Sequence, residues 1–476
     1  MTMIRHMQKA LTACALVLTL GACTVGPDYA PPELNAPAAF VSQDVLDLLN
    51  DGKTDAGLKT EWWTGFHDPT LNQLVAEGIA DNQTILSAAA RVEQFRENVN
   101  LSASGDDPVL DASGGVDISR RETLGGDDDS RTSTGLSAGL GLLWPFDVFG
   151  RTRRNTESAR AALEAAEADL RDTILSVSVG IAAEYLQYRG NERQLELLRE
   201  SVALQEKTLS IVQSRFKFGI APELDYQRAI TSVENLRADI PPLEQSLVQS
   251  RNRLATLTGQ YSGHMQTDIP DDGDIPGYNS LIPEVLPLDV INHRPDVQFA
   301  EAALKQAVAE IGVAEAEFYP AFNLNAGLVL SATGGSGLSG VETLIATLGA
   351  AIDQTLLDGG RRQANLNIAR AAADEALYDY RQVILLAVED VEAALSNLKA
   401  SRERQIPLEK AVAASGRSFQ QAVILYREGL ISFLDVVDAQ RVLASAEQQL
   451  ARERTQYAVL ITALFQSLGV PVDSDL

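Results

Sequence analysis

One stretch occurs twice in this chain, and the duplication restricts the fold more than any single motif. The first copy reads Arg215-Phe-Lys-Phe-Gly-Ile-Ala-Pro-Glu-Leu-Asp-Tyr-Gln-Arg-Ala229, and the second reads Leu425-Tyr-Arg-Glu-Gly-Leu-Ile-Ser-Phe-Leu-Asp-Val-Val-Asp-Ala439. An offset of 210 residues pairs Gly219 with Gly429, Leu224 with Leu434, Asp225 with Asp435 and Ala229 with Ala439. Each copy is a glycine-containing break between two long helical patterns, which is the signature of a hairpin tip. The register extends outward through Gly150 and Gly360, Arg151 and Arg361, and Gly259 and Gly469, and an offset of 212 pairs Pro108 with Pro320. The architecture is a tandem repeat, so its function must use two long helical hairpins per chain.

Charge and cysteine content narrow the partners. Lys+Arg 39 against Asp+Glu 65 leaves a net charge of −26, which repels nucleic-acid phosphates. Cys14 and Cys23 are the two cysteines, so the body of the chain has no disulfide framework. His6, His67, His264 and His293 lack metal-ligand spacing, and no metal site is expected. Arg5 and Lys9 precede an apolar run, Ala10 to Leu20, too short to span a bilayer and of signal-peptide proportions. It ends in Leu20-Gly21-Ala22-Cys23, which resembles a bacterial lipobox. Residues 1–22 are therefore expected to be a lipoprotein signal peptide, with Cys23 the lipid acceptor and a covalent lipid in place of any cofactor. By analogy with bacterial lipoproteins, Thr24 after the cysteine implies sorting to the outer membrane.

Beyond it, residues 23–68 read as an extended, Pro-rich arm, ended by Asp68-Pro69 as N-cap and first helical residue. The first repeat, 69–259, opens with a helix from about Pro69 to Leu101. From about Val109 the period becomes 2: Leu110, Ala112, Gly114, Val116 and Ile118 alternate with polar or small residues, and Leu136, Ala138, Leu140, Leu142 and Trp144 do the same. The second repeat, 289–469, repeats this at Phe322–Leu330 and Leu344–Ile352. Four strands of about ten residues, apolar mainly on one face, fit a transmembrane barrel wall; a soluble half-buried sheet is the alternative. Closed membrane barrels begin at about eight strands, so strands that span require several chains.

Glycine and basic clusters follow each strand pair, Gly150-Arg-Thr-Arg-Arg154 and Gly360-Arg-Arg362, and suit a membrane–water interface. Helices of about 66 residues come next, Arg151–Phe216 and Arg361–Tyr426, each about 100 Å long if straight. Leu366, Ala369, Ala373, Ala376, Tyr380, Ile384 and Ala387 trace an alanine-rich coiled-coil stripe. Gly180, Gly190, Pro407 and Gly416 are expected to bend or divide these helices, and Pro241-Pro242 to kink or end a piece of the first return helix, Pro222–Thr258. The second return helix runs Ser432–Leu468; residues 260–288 read as a linker and 470–476 as a tail. Asn292-His-Arg-Pro295-Asp is expected to open the second repeat as Asp68-Pro69 opens the first. The fold class is mainly α with membrane β: a coiled-coil barrel continued by a β-barrel built from several chains.

Cys23-Thr-Val-Gly-Pro-Asp-Tyr-Ala-Pro-Pro32, Trp62-Trp63-Thr-Gly-Phe66-His-Asp-Pro-Thr-Leu71 and the duplicated tips together resemble the outer-membrane efflux proteins of the TolC family, in particular their lipid-anchored, NodT-like branch. The resemblance covers nearly the whole chain. It implies a homotrimer with a twelve-strand barrel in the outer membrane and a large periplasmic part. It also implies a periplasmic adaptor and an inner-membrane efflux transporter as partners. The duct would conduct small molecules passively and would not be an enzyme. By this resemblance Leu434, Asp435 and Asp438 match positions that narrow the periplasmic entrance. Tyr426 and Asp225 match positions that hold it shut, and Gly219, Ile220, Gly429 and Leu430 match the tips that an adaptor grips. Arg228 lies opposite Asp438 in the repeat and is a candidate partner for an acid of the second tip. Ile431 stands where one branch has a basic residue and Tyr226 where valine is usual, so that branch's lock is not carried over. Asp435 and Asp438 also suit a solvated helix start, where the dipole favours acids. The alternatives are a duct for ATP-driven (type I) protein secretion and a non-conducting coiled-coil envelope scaffold.

Three further patterns lead elsewhere. Gly335-Ser-Gly-Leu-Ser-Gly340 matches a nucleotide-binding pattern but precedes a strand, not the helix such a site needs. Gly135-Leu-Ser137-Ala-Gly139 matches a nucleophile elbow but lies inside a strand pattern. Asp127-Asp128-Asp129 reads as a solvated external loop, with divalent-cation binding as the alternative.

Overall fold

The computed structural model describes residues 24–33, 37–42, 45, 60–121, 131–270, 274–282, 286–334 and 341–472. The lipobox with Cys23, the acidic triplet 127–129 and the glycine run 335–340 lie outside them. Two compact units form, one from residues 1–33, 92–166 and 299–380, the other from 34–91, 167–298 and 381–476.

The first unit holds the sheet. Strands β1 (Val109–Arg121), β2 (Arg131–Phe146), β3 (Ala321–Gly334) and β4 (Val341–Asp353) follow in the order β1-β2-β3-β4, antiparallel throughout. Directly opposed residues share a face, and the register opposes even numbers to even numbers. One row is Ala112, Leu140, Leu328, Ala346; the next is Leu110, Leu142, Ala326, Leu348. The other face carries Ser113, Gly139 and Val329, then Asp111, Gly141, Gly327 and Thr347. The alternation in each strand thus adds up to one apolar face and one of mostly small and polar residues. Large apolar side chains on the even face are exposed, Ile118 by 74% and Leu348 by 78%. Among the described residues, strands β1 and β4 each have one neighbour, so the sheet ends there in two unpaired edges.

Around the sheet, α3 (Arg151–Lys217) and α7 (Pro295–Ala316) receive the N-terminal arm. Arg154, within the first basic cluster, is buried. Its Nε donates to the Val25 carbonyl at 3.0 Å, and its Nη2 to the Gly26 carbonyl at 3.0 Å and to Asp28 at 2.8 Å. The arm's carbonyls meet the guanidinium's fixed donor fork, which explains the burial of a charge. Tyr29 continues the contact, donating to Glu301 on α7 at 3.1 Å.

The second unit is helical. A 3₁₀ turn, Trp62–Phe66, seats Trp62 against Phe465 at 5.1 Å between ring centroids, within a core that includes Leu71, Leu74, Tyr185 and Leu186. Asp68 caps α1 (Pro69–Asp81), accepting from the amides of Thr70 at 2.8 Å and Leu71 at 3.0 Å. Its second oxygen accepts from the Tyr185 hydroxyl at 2.7 Å, so the cap also ties α1 to α3.

Three expectations change. The first helix is two helices, α1 and α2 (Gln83–Ala103), because Asn82 takes an extended conformation and its side chain accepts from the Thr84 amide at 2.8 Å. The second repeat starts likewise with α6 (Pro287–His293) before α7, so Arg294-Pro295 is the counterpart of the Asn82 break, and Leu286-Pro287 is that of Asp68-Pro69. Finally, α3 and α8 (Arg361–Arg427) run unbroken through Gly180, Gly190, Pro407 and Gly416. A proline removes one amide from the ladder, and a long packed helix keeps its neighbours in place around that gap. The first return helix does divide beside the double proline: α4 (Glu223–Ala238) ends just before it and Pro241-Pro242 lie in the first turn of α5 (Ile240–Leu257), whereas the second, α9 (Phe433–Ser467), is continuous.

Candidate functional site: the paired hairpin tips

Both tips lie in the second unit and close the same way. Gly219 and Gly429 hold φ of 70° and 79°, the left-handed conformation that a side chain resists. The Ile220 amide donates to the Arg215 carbonyl at 2.8 Å and the Leu430 amide to the Leu425 carbonyl at 2.9 Å, so each long helix ends in a Schellman-type closure. Ile220 and Leu430 at the two apices are exposed, as is Phe218.

The second tip starts its return helix with a capping box. The backbone amide and hydroxyl of Ser432 donate to Asp435 at 2.9 and 2.7 Å, and these bonds hold the Asp435 carboxyl below the usual aspartate range. One turn on, Asp438 pairs with Arg441 at 2.7 Å on the exposed surface. Asp435, Asp438 and Ile431 line one groove of about 340 Å³ with Ser415, Ser418 and Gln421. The two acids therefore share a face, and Leu434 stands exposed beside them.

Tyr426 is buried in a cluster that joins the tips: Val212 and Ala229 from the first, Phe419, Ala422, Phe433 and Val436 from the second. Its ring lies 5.8 Å from that of Phe433. The hydroxyl is buried with no hydrogen-bond partner among the described residues. Burial pushes the phenol above its ordinary value; Arg215 lowers it and Asp225 raises it. Asp225, half-buried in the first turn of α4, is thus in electrostatic reach of Tyr426 without a hydrogen bond to it. Arg228 is exposed and joins no ion pair among the described residues, while Asp438 has Arg441.

Sequence reasoning missed Arg215, which reaches from the first tip to the second. Its Nη1 donates to the Tyr426 carbonyl at 2.9 Å, and its guanidinium lies 4.9 Å from the Tyr426 ring centroid. The available signal was a break in the repeat, which places Arg215 opposite Leu425. The elbow-like Ser137 sits within β2, its hydroxyl 3.4 Å from the Gly115 carbonyl of the neighbouring strand, and no strand-to-helix turn presents it.

A family model described as outer membrane efflux protein matches residues 74–260 and 286–470, one match for each repeat. Nodulation protein T of Rhizobium leguminosarum bv. trifolii is 32% identical over 462 residues, covering 95% of both chains. The cation efflux system protein CusC of Escherichia coli O6:H1 is 29% identical, covering 97% of this chain and 98% of that one. Among solved structures, the outer-membrane channel OprN superposes with a TM-score of 0.84 at 32% identity, over 94% of this chain and 99% of that one. An exposed apolar sheet face, two sheet edges unpaired among the described residues, duplicated helical hairpins and these matches have one common explanation: the chain belongs to the outer membrane efflux protein family.

Proposed function

We propose that three copies of this chain form the outer-membrane duct of a tripartite efflux system. The observation that carries the proposal is the four-stranded sheet with an exposed apolar face and unpaired edges on β1 and β4. In lipid each unsatisfied backbone group at such an edge costs several kcal/mol, and pairing β1 of one copy with β4 of the next removes that cost. Three copies give twelve strands, enough for a lumen. Small molecules would pass through it passively, driven by an inner-membrane transporter through a periplasmic adaptor that grips the tips at Gly219, Ile220, Gly429 and Leu430. Exposed apolar Ile220 and Leu430 suit that contact.

At the entrance, Asp435, Asp438 and Leu434 would face the axis, with Tyr426, Asp225 and Arg228 at the contacts that keep it closed. The duct requires no cofactor and no catalytic group; a lipid on Cys23 would supplement the barrel's own hold on the membrane. Conductance of the purified protein in planar bilayers tests the proposal. Discrete channels support it, and a protein that assembles in bilayers yet passes no current in any condition defeats it, favouring a scaffold.

A further inference from the structure

The two halves of the sheet are copies in register as well as in sequence. Offsets of 212 for the first strand of each pair and 210 for the second carry Val109↔Leu143 onto Ala321↔Asp353, which is the pairing observed between β3 and β4. The junction of β2 with β3 is where one such hairpin meets the next. Paired residue numbers there sum to 468, as in Leu140↔Leu328 and Phe146↔Phe322.

Strand β4 stops short of its counterpart. Both start at matched positions, but β2 runs 16 residues to Phe146, whereas β4 runs 13 to Asp353. The residues by which β4 falls short, Gln354-Thr355-Leu356, are counterparts of Trp144-Pro145-Phe146, which pair with Leu324, Asn323 and Phe322 of β3. Among the described residues β4 has no strand on that side, and Leu356 is 89% exposed. A strand end without a partner has no ladder to hold it.

Gly139 on β2 lies opposite Val329 on β3, and a Cβ added there would come within 3.5 Å of the valine Cγ2. Its counterpart on β4, Gly349, has nothing within 4 Å of the same position among the described residues. The counterpart of Val329 is Asp117, on the edge strand β1. On its paired side the Asp117 carboxylate already fills the space that a Cβ at Gly135 would need.

We propose that β4 of one copy pairs with β1 of the next in the register that joins β2 to β3, so that paired residue numbers sum to 466 and residues 354–356 become the end of β4. This seam rests on the duct of three copies and specifies how one copy recognises the next. Leu348 then faces Ile118 of the next copy, Ile352 faces Gly114, and Leu356 faces Leu110, itself 66% exposed in the single chain. Even numbers oppose even numbers, so the apolar face runs unbroken across the seam. Gly349 receives Asp117, which gains a glycine on its second side. A slip of two residues either way also keeps the faces, but it sets Asp117 opposite Thr347 or Ala351 and Gly349 opposite Gly115 or Ser119. A closed barrel needs a fixed stagger, and like junctions around the ring distribute it evenly.

Oxidation of paired cysteines in the assembled protein, in outer-membrane fractions, tests the seam; covalent dimer and trimer are read on non-reducing gels. Leu348→Cys/Ile118→Cys and Leu356→Cys/Leu110→Cys follow the register. Leu348→Cys/Val116→Cys and Leu348→Cys/Arg120→Cys are slipped by two residues, and single-cysteine variants set the background from Cys23. A disulfide needs Cα atoms no more than about 7 Å apart, which directly opposed residues meet and diagonal neighbours do not. Both register pairs should cross-link at least about tenfold faster than either slipped pair. A slipped pair that reacts as fast as Leu348→Cys/Ile118→Cys overturns the register, and an assembled trimer in which no pair reacts overturns the pairing of β1 with β4. An inert Leu356→Cys/Leu110→Cys beside a reactive Leu348→Cys/Ile118→Cys overturns the extension of β4. Should the Leu348→Cys/Ile118→Cys variant fail to assemble, Thr347→Cys/Ser119→Cys on the other face decides: cross-linking supports the register, and none overturns it. A wild type that is not trimeric by native mass measurement defeats the duct reading beneath it instead.

Discussion

The two repeats agree where their first and last helices meet and disagree at their tips, and the contrast separates what the backbone demands from what function demands. At the junction in the first repeat, the Asn82 side chain donates to the Leu257 carbonyl at 2.8 Å; in the second, Arg294 donates to the Ser467 carbonyl, also at 2.8 Å. Gly259 and Gly469 end the return helices at φ of 72° and 64°. The acceptor is the same, the glycine is the same, and only the donor differs. At the tips the backbone again matches, but Arg215 faces Leu425, Pro222 faces Ser432 and Arg228 faces Asp438. The two copies retain the glycines that hold a positive φ, at the tips as at the junctions, and diverge where a side chain sets charge or contact.

The sheet is where the comparison should break most visibly. Leu140 of the first repeat and Leu328 of the second are direct cross-strand partners, exposed by 48% and 43%. Leu140→Arg and Leu328→Arg should each cost about 2–4 kcal/mol per site at mid-bilayer, repeated in every copy, and should abolish assembly to the same degree. Asn325→Arg, on the opposite face, should assemble. Detergent-resistant oligomer in outer-membrane fractions measures all three. Equal assembly of Leu328→Arg and Asn325→Arg would refute the face assignment, and a large difference between the two leucine variants would refute the equivalence of the repeats.

The junction glycines come next. A Cβ at Gly259 would lie 2.3 Å from the Asp81 carbonyl oxygen, and one at Gly469 would lie 2.7 Å from the Arg294 Cα. Neither obstacle is a flexible side-chain end. Gly259→Ala and Gly469→Ala should each destabilise by about 1–3 kcal/mol from strained φ alone, with the clash in addition. Gly219→Ala has the same sign of φ and nothing within 4 Å, so it should lose less. Thermal unfolding of the three variants reads the order, and an equal loss in Gly219→Ala would show that close approach plays no part.

These features differ in how far sequence alone reveals them. The strands were legible because period 2 is written in consecutive residues, and the register then follows from keeping the apolar sets together. Asp68-Pro69 was legible because both capping residues are local. The break at Asn82 was not, since Asn inside a helical pattern carries no strong stop signal. The contacts of Arg154 and Arg215 were passed over for a shared reason. Both spend their donors on backbone carbonyls distant in sequence, Val25 and Gly26 for one and Tyr426 for the other. A carbonyl has no residue type, so no motif announces it.

The tip acids give a smaller effect that sharpens the asymmetry. Asp438 is paired locally with Arg441, and both are exposed. If Asp438 nonetheless faces the axis, three copies bring its carboxylates near those of Asp435, and the duct should prefer cations and be blocked by divalent ones from the periplasmic side. Asp438→Ala should relieve that block several-fold more than Glu403→Ala, an exposed acid well outside the tips. The difference should shrink at high salt, since exposed charges are screened. Unchanged block in an Asp435→Ala/Asp438→Ala double variant would leave both as helix-start acids.

The smallest expected effect isolates Asp435 from its counterpart. Asp435 accepts two bonds from Ser432, whereas Asp225 follows Pro222, which has neither amide hydrogen nor hydroxyl to offer. The capping box lowers the folded-state pKa of Asp435. A depressed carboxyl contributes stability that is fully present above its unfolded value and is lost as pH falls through the folded one. The box should therefore hold the start of α9 at neutral pH and release it below the ordinary aspartate range. Hydrogen exchange of the amides near Phe433 to Val436, followed from neutral pH into that range, should show faster opening at the acid end once the intrinsic rate is removed. Ser432→Ala should weaken the pH dependence and Asp435→Asn should abolish it, while the matching amides near Glu223 to Tyr226 should change little in either variant. If Asp435→Asn keeps the wild-type pH profile, the carboxylate is not the cap, and the difference between the two tips at this position has no structural consequence.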